Sequence, residues 1–110
     1  MLPIDMDAIS SYLLPRLDAY LDDLRQLTAI DSGRDHKAGG DEINDWLTKR
    51  LERIGCTVKR HRQPDIADNM IGTLHGKGWG RLLLLGHSDT VFPYGTATAR
   101  PMRIEGDKAV

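Results

Sequence analysis

His87 and Asp89 are the residues of this sequence whose types and spacing best suit chemistry. A neutral imidazole is the commonest metal ligand in proteins, and it binds best when its other ring nitrogen donates to a carboxylate. Residues two apart in an extended segment point to the same side, so Asp89 can orient the ring of His87. Gly86 leaves room for the backbone to approach a ligand. This pattern indicates a metal site, although a His-x-Asp triplet by itself also occurs without a metal.

Other chemistries are weaker interpretations of the same sequence. Ser88 would point away from His87, so the two cannot pair directly as nucleophile and base. Cys56 is the only cysteine, which excludes an internal disulfide and a thiolate zinc cage, and we interpret it as a core residue. His75 is predicted to be solvated, and His36 and His61 have no carboxylates at ligand spacing, so none of the three is expected to be a metal ligand.

Composition narrows the class of protein further. The chain has 110 residues, a net charge of −1 and 28% charged residues, which is typical of a globular domain. The basic cluster at residues 59–62 is narrower than a nucleic-acid footprint, so we predict a solvated strand face and no nucleic-acid partner. There is no basic leader and no apolar run of about 20 residues, so neither a secretory signal nor a membrane partner is expected. The cytoplasm is the predicted location.

Two amphipathic helices are predicted in the first half of the chain. Apolar residues at steps of three or four mark a helix over residues 9–30, which begins near Leu14 or is kinked at Pro15. The second helix is predicted to carry Asp41 and Glu42 in its first turn and to end at Gly55. The apolar stripe predicted for it consists of Ile43, Trp46, Leu47, Leu51 and Ile54.

The second half of the chain predicts strands. Residues 56–62 and 69–74 form a predicted hairpin, and the apolar run 82–85 predicts a central strand buried on both faces. The fold class is therefore α/β, with the metal site just beyond the carboxyl end of the central strand, where ligands bind in open sheets. Residues 102–110 predict a further hairpin that turns at Gly106 and Asp107. Because few neighbours for the central strand are present, we expect a domain that is cut short.

Residues 83–93 and 100–109, together with Gly95, carry a long motif that resembles a known family. The family is that of the zinc-dependent exopeptidases, which includes glutamate carboxypeptidase, aminoacylase and acetylornithine deacetylase. The motif is similar to that of the glutamate carboxypeptidase-like members. The resemblance extends upstream through both helices, in particular at Trp46 and Gly55, to the turn at Asp68 and Asn69. It therefore covers nearly the whole chain.

The resemblance implies a fold and a metal centre. It implies the N-terminal part of a three-layer αβα catalytic domain occupying residues 1–110, without the smaller domain through which many members form homodimers. Two zinc ions would share a water molecule and an aspartate, and cobalt and manganese stay open as alternatives. His87 matches the first zinc ligand, and Asp89 matches the catalytic aspartate that orients it. The other ligands and the glutamate that acts as general base would follow Val110.

The implied activity is removal of a C-terminal, glutamate-like residue from a peptide or acyl-amino acid by a metal-activated water. Two alternatives stay open. One is an N-acyl-amino-acid deacylase of the same family, and the other is a catalytically inert truncated chain. We expect the 110 residues alone to be inactive, because a catalytic zinc normally needs three protein ligands.

Overall fold

A computed structural model describes residues 4–110. In chain order the elements are α1 (Met6–Leu13), a 3₁₀ turn (Leu14–Arg16), α2 (Leu17–Thr28), α3 (Lys37–Arg53), β1 (Thr57–His61), β2 (Asn69–Thr73), α4 (Thr96–Ala99), β3 (Ile104–Glu105) and β4 (Lys108–Ala109). The protein is thus of mixed α/β structure, as predicted. The described residues form two compact units, one of residues 4–29 and 102–110 and the other of Ile30–Pro101. No helix within residues 4–110 is long and apolar enough to cross a membrane.

The first unit contains the helix predicted over residues 9–30, with a different beginning. Helix α1 begins at Met6 because Asp5 caps it, accepting a hydrogen bond from the Ala8 N–H at 2.9 Å. Pro15 lies in the 3₁₀ turn between α1 and α2, where its missing N–H interrupts the α-helical bonding. The predicted apolar stripe is not buried, since Leu13 is 56% exposed and no residue of either helix is buried.

The predicted C-terminal hairpin is confirmed within the same unit. Strands β3 and β4 are antiparallel, with Ile104 opposite Ala109 and Glu105 opposite Lys108. The turn between them contains Gly106 with a φ of 64°, a left-handed conformation that glycine adopts at little cost.

Helix α3 and the hairpin β1–β2 form the framework of the second unit. Gly55 ends the helix region with a φ of 92°, as predicted. The hairpin is antiparallel, pairing Thr57 with Thr73 and His61 with Asn69. Its bounds agree with the predicted strands to within one residue at each end. The hairpin packs on α3: a Cβ added at Gly72 would lie 3.0 Å from Leu51 Cδ1, and the Thr48 hydroxyl contacts Met70 Sδ at 3.4 Å.

The predicted start of α3 is wrong. The helix begins at Lys37, one turn before the predicted start, so Asp41 and Glu42 do not lie in its first turn. Asp41 instead accepts a hydrogen bond from the Asp68 N–H at 2.9 Å, a tertiary contact that sequence periodicity does not show. The predicted apolar stripe faces inward over most of its length: Ile43 is buried at 4% exposure and the three residues in the middle of the stripe are half-buried. Ile54, at the helix end, is 63% exposed.

The prediction of a buried central strand at residues 82–85 is also wrong for this structure. The four leucines are between 76% and 88% exposed and belong to no strand. An apolar run becomes a buried strand only when neighbouring strands pair with it and other layers cover both faces. Within residues 4–110 no strand pairs with this run. The segment still leads directly into the predicted metal-site motif.

Candidate functional site

The structure brings His87 and Asp89 into direct contact. His87 Nδ1 lies 3.0 Å from Asp89 Oδ1 and 3.1 Å from the Asp89 backbone oxygen. The Asp89 backbone oxygen and the ionised Asp89 carboxylate are both hydrogen-bond acceptors, so this arrangement places the imidazole proton on Nδ1. The free electron pair then lies on Nε2, which is the nitrogen available to a metal ion.

This pair fits a metal as one ligand with its orienting carboxylate, and not as a complete site. The His87 side chain is 83% exposed, so nothing around it blocks access to Nε2. In the described part of the chain no group of three or more His, Cys, Asp or Glu residues could hold a metal ion. The predicted geometry of the pair is therefore present, while its role in metal binding stays a prediction.

Residues 31–33 lie beside the motif and are bonded to it. The Ser32 hydroxyl donates to the Ser88 backbone oxygen at 3.1 Å, and the Thr90 N–H donates to the Ser32 backbone oxygen at 3.0 Å. Gly33 and Thr90 form a parallel β-bridge. Ser32 is 3% exposed, so its hydrogen bonds are shielded from water. The segment that carries His87 and Asp89 is thus fixed at Ser88 and Thr90.

Asp31 extends this contact to the residues after the motif. Its two carboxylate oxygens accept hydrogen bonds from the N–H groups of Ala97 and Gly95, each at 2.9 Å. These backbone donors, Ala97 first and Gly95 next, hold the pKa of Asp31 below its ordinary value. Asp31 therefore satisfies N–H groups at the start of the short helix α4, which would otherwise have no helical partner.

An open groove of about 540 Å³ adjoins the pair. The groove is lined by polar side chains that include those of His87, Asp89, Ser32, Arg34, Asn44 and Asp68. A groove of this size is within the range of small-molecule sites. The motif thus opens onto a concave surface with polar groups.

A cluster of charged side chains around one buried carboxylate lies beside the groove, on α3 and the hairpin. The Asp68 side chain is fully buried and contacts Lys37 Nζ at 3.1 Å, Arg62 Nη1 at 3.1 Å and Arg60 Nη2 at 3.4 Å. The Gln63 N–H donates to it at 3.0 Å. This N–H and the nearby cations hold the pKa of Asp68 below its ordinary value, against the opposing effect of burial. Asp68 is therefore an ionised anchor for the loop between β1 and β2.

Asp41 and Lys37 complete this cluster. Lys37 Nζ lies 2.9 Å from Asp41 Oδ2, and the hydrogen bond with Asp41, opposed by burial, raises the pKa of Lys37. Burial is the largest influence on Asp41 and favours its neutral form. The Asp68 N–H and Lys37 together outweigh it, so the pKa of Asp41 is lowered. Arg60 also pairs with Asp41 at 3.3 Å and with Asp45. The cluster is a structural feature and contains no histidine.

The remaining residues considered from sequence lie in other surroundings. His75 is exposed as predicted, and Cys56 is half-buried as a free thiol. His36 is half-buried, and its ring lies 4.7 Å from that of Tyr94. Sequence reasoning missed Ser32, Asp31 and the anchoring role of Asp68, because their partners are 5 to 66 residues away.

Two curated proteins are similar to the chain over most of its length. Carboxypeptidase G2 of Pseudomonas sp. (strain RS-16) is 34% identical over 93 residues, which is 83% of this chain. A peptidase M20 domain-containing protein of Schizosaccharomyces pombe is 35% identical over 101 residues, or 87% of the chain. The chain belongs to the peptidase M20 family.

This M20 assignment confirms the resemblance to glutamate carboxypeptidase-like proteins. No protein-family model matches the chain. The matched region is 22% of Carboxypeptidase G2 and 23% of the S. pombe protein, so this M20 chain spans less than a quarter of the length of these relatives.

Proposed function

We propose that this chain supplies part of the catalytic domain of a metal-dependent carboxypeptidase. The observation that carries the proposal is the contact of His87 Nδ1 with Asp89 Oδ1 at 3.0 Å, in a chain of the M20 peptidase family. The substrate proposed is a peptide or acyl-amino acid with a glutamate-like residue at its C-terminus. The name of Carboxypeptidase G2 supports C-terminal cleavage, and the similarity to it supports extending that to this chain.

In this proposal His87 binds a zinc ion through Nε2, and Asp89 holds the ring in the orientation and tautomer that this requires. A bound zinc ion supplies an activated water and polarises the scissile carbonyl. Asp89 keeps the Nδ1 proton in place and makes the imidazole a stronger donor to the metal. The residues that complete the metal shell and the general base lie outside these 110 residues.

The domain proposal follows from the same comparison. We place residues 1–110 in the N-terminal portion of a three-layer αβα catalytic domain. We use "full-length protein" for a chain of its relatives' length that contains this sequence. Metal uptake, hydrolysis and any dimer formation are proposed for that protein.

The test is a hydrolysis assay on the full-length protein with an N-acylglutamate and with N-acetylornithine. We expect cleavage of the N-acylglutamate, loss of activity on chelation and recovery with Zn²⁺. His87→Ala should lower activity by at least about 100-fold, because the metal shell loses a ligand. His75→Ala is the matched control, since His75 is exposed and outside the motif.

Unchanged activity in His87→Ala would exclude the assigned role. Cleavage of N-acetylornithine in preference to the N-acylglutamate would contradict the carboxypeptidase proposal and support the deacylase alternative.

A further inference from the structure

Ser32 lines the groove, and its hydroxyl is bonded to the backbone of the motif. Its hydroxyl donates to the Ser88 carbonyl at 3.1 Å, and Ser88 is the residue between His87 and Asp89. At 3% exposure this bond has little competition from water. A hydroxyl that fixes this peptide unit acts on the residues on either side of it.

The backbone of the same residue makes a second bond. The Thr90 N–H donates to the Ser32 carbonyl at 3.0 Å, one residue beyond Asp89. Ser32 therefore holds residues 88 and 90 at once, on both sides of the carboxylate that orients His87. These bonds are the more important because both ring and carboxylate are exposed, at 83% and 54% of their side chains, and little packing restrains them.

The segment that contains Ser32 is itself fixed. On one side of Ser32, the carboxylate of Asp31 accepts hydrogen bonds from the N–H groups of Gly95 and Ala97, each at 2.9 Å. On the other side, a Cβ added at Gly33 would lie 2.5 Å from the Phe92 backbone oxygen, so the backbone at Gly33 packs directly against the backbone at Phe92. Ser32 is thus held from both of its neighbours.

We propose that Ser32 is a positioning residue for the His87–Asp89 pair, acting through its hydroxyl on the Ser88 carbonyl. It touches neither metal nor substrate, and it preorganises the segment so that Nε2 is presented to the metal in one orientation. This inference rests on the proposed role of His87 as a metal ligand. Metal affinity, as well as turnover, should therefore depend on the Ser32 hydroxyl.

The test compares Ser32→Ala, Ser32→Thr and His87→Ala in the metal-free full-length protein. Co²⁺ affinity is followed by the visible spectrum of the bound ion, and backbone hydrogen exchange is followed in peptides that cover residues 86–92. Ser11→Ala is the matched control, because Ser11 is exposed on α1.

Ser32→Ala removes the hydroxyl bond to the Ser88 carbonyl and keeps the bond from the Thr90 N–H to the backbone of residue 32. Loss of this one shielded hydrogen bond should weaken Co²⁺ binding about tenfold and, by loosening the segment, speed exchange in the peptides that cover residues 86–92. Ser32→Thr keeps the hydroxyl and should restore both. Exchange in α3 should stay unchanged, which separates positioning from a general loss of stability.

The outcomes separate this inference from the proposed function. If His87→Ala binds Co²⁺ as tightly as the wild type, the proposed metal site is wrong. If His87→Ala loses Co²⁺ while Ser32→Ala keeps wild-type affinity and exchange, the inference about Ser32 is wrong and the site stands. A uniform rise in exchange throughout Ser32→Ala, or failure of Ser32→Thr to restore binding, also overturns it.

Discussion

At the scale of the residue, the contact between His87 and Asp89 depends on charge as well as shape. The ionised carboxylate accepts a hydrogen bond from the Nδ1–H group, with 3.0 Å between Nδ1 and Oδ1, and leaves Nε2 free for a metal ion. An amide in the same place could donate instead of accept, and the preference for this tautomer would be lost. The orienting role is therefore separable from side-chain size.

Asp89→Asn should lower the activity or metal affinity of the full-length protein by about 10- to 100-fold, the usual effect of removing such an outer partner. The measurement is kcat/KM with an N-acylglutamate, together with Zn²⁺ affinity. Asp107→Asn is the control, because Asp107 lies in the exposed turn between β3 and β4. Equal rates for Asp89→Asn and wild type would contradict the role.

Sequence alone could predict this pair, since residues two apart need only an extended backbone to meet. It could not predict Ser32 or Asp31, whose bonds to the motif and to α4 span 56 to 66 residues. The spacing of residues along a short segment does not indicate contacts with residues that far away in the sequence. Ser32 and Asp31 lie in a polar stretch whose composition indicates only a loop.

At the scale of the element, the loop between β1 and β2 is held to α3 by ionised carboxylates. The pKa values of Asp68 and Asp41 lie below the ordinary value of 3.8. In this range the unfolded chain binds more protons than the folded one, so folding stability rises with pH there. The contribution of these two carboxylates to stability is fully present above their pKa in the unfolded chain. It is lost as the pH falls through their lowered pKa values in the folded protein.

Urea unfolding at pH 7 and at pH 3 should therefore show a lower free energy of unfolding at pH 3. Asp68→Asn should be less stable at pH 7, because Lys37 and Arg60 lose a buried partner, and its loss of stability on acidification should be smaller. Asp65→Asn, at an exposed position in the same loop, is the control. The same fall in stability for Asp68→Asn and wild type would contradict the anchoring role.

The β-bridge between Gly33 and Thr90 requires a residue without a side chain. A Cβ at Gly33 would lie 2.5 Å from the Phe92 backbone oxygen, so Gly33→Ala must displace backbone. We expect a loss of about 1–3 kcal/mol in the free energy of unfolding, typical of overpacking. Gly78→Ala is the control, since nothing lies within 4 Å of its Cβ position. Equal urea midpoints for the two variants would contradict the close approach.

Element prediction succeeded where the cause is local. Gly55 and Gly106 have positive φ angles, which glycine adopts readily, so the chain reversals at these residues could be predicted from residue type alone. The hairpin β1–β2 could be predicted from a short segment of alternating residues. It failed for residues 82–85, because burial of an apolar run depends on strands elsewhere. The beginning of α3 was misplaced because Asp41, a good first-turn residue, is bonded to residue 68.

At the scale of the whole molecule, the chain is a segment of an M20 peptidase that contains one proposed metal ligand. The match covers 83% of the chain and 22% of Carboxypeptidase G2. One histidine with an orienting carboxylate binds Zn²⁺ weakly, whereas a catalytic site normally has three protein ligands. The 110 residues alone should thus bind zinc weakly and hydrolyse no substrate. The full-length protein should bind zinc tightly and hydrolyse its substrate.

Calorimetric titration with Zn²⁺ is the most direct test of the claim that His87 is a metal ligand. The samples are the full-length protein, its His87→Ala variant and the 110-residue chain. We predict tight uptake by the first, loss of at least one equivalent in the second, and weak uptake by the third. Identical stoichiometry and affinity in the wild type and His87→Ala, or tight stoichiometric uptake by the 110 residues alone, would contradict it.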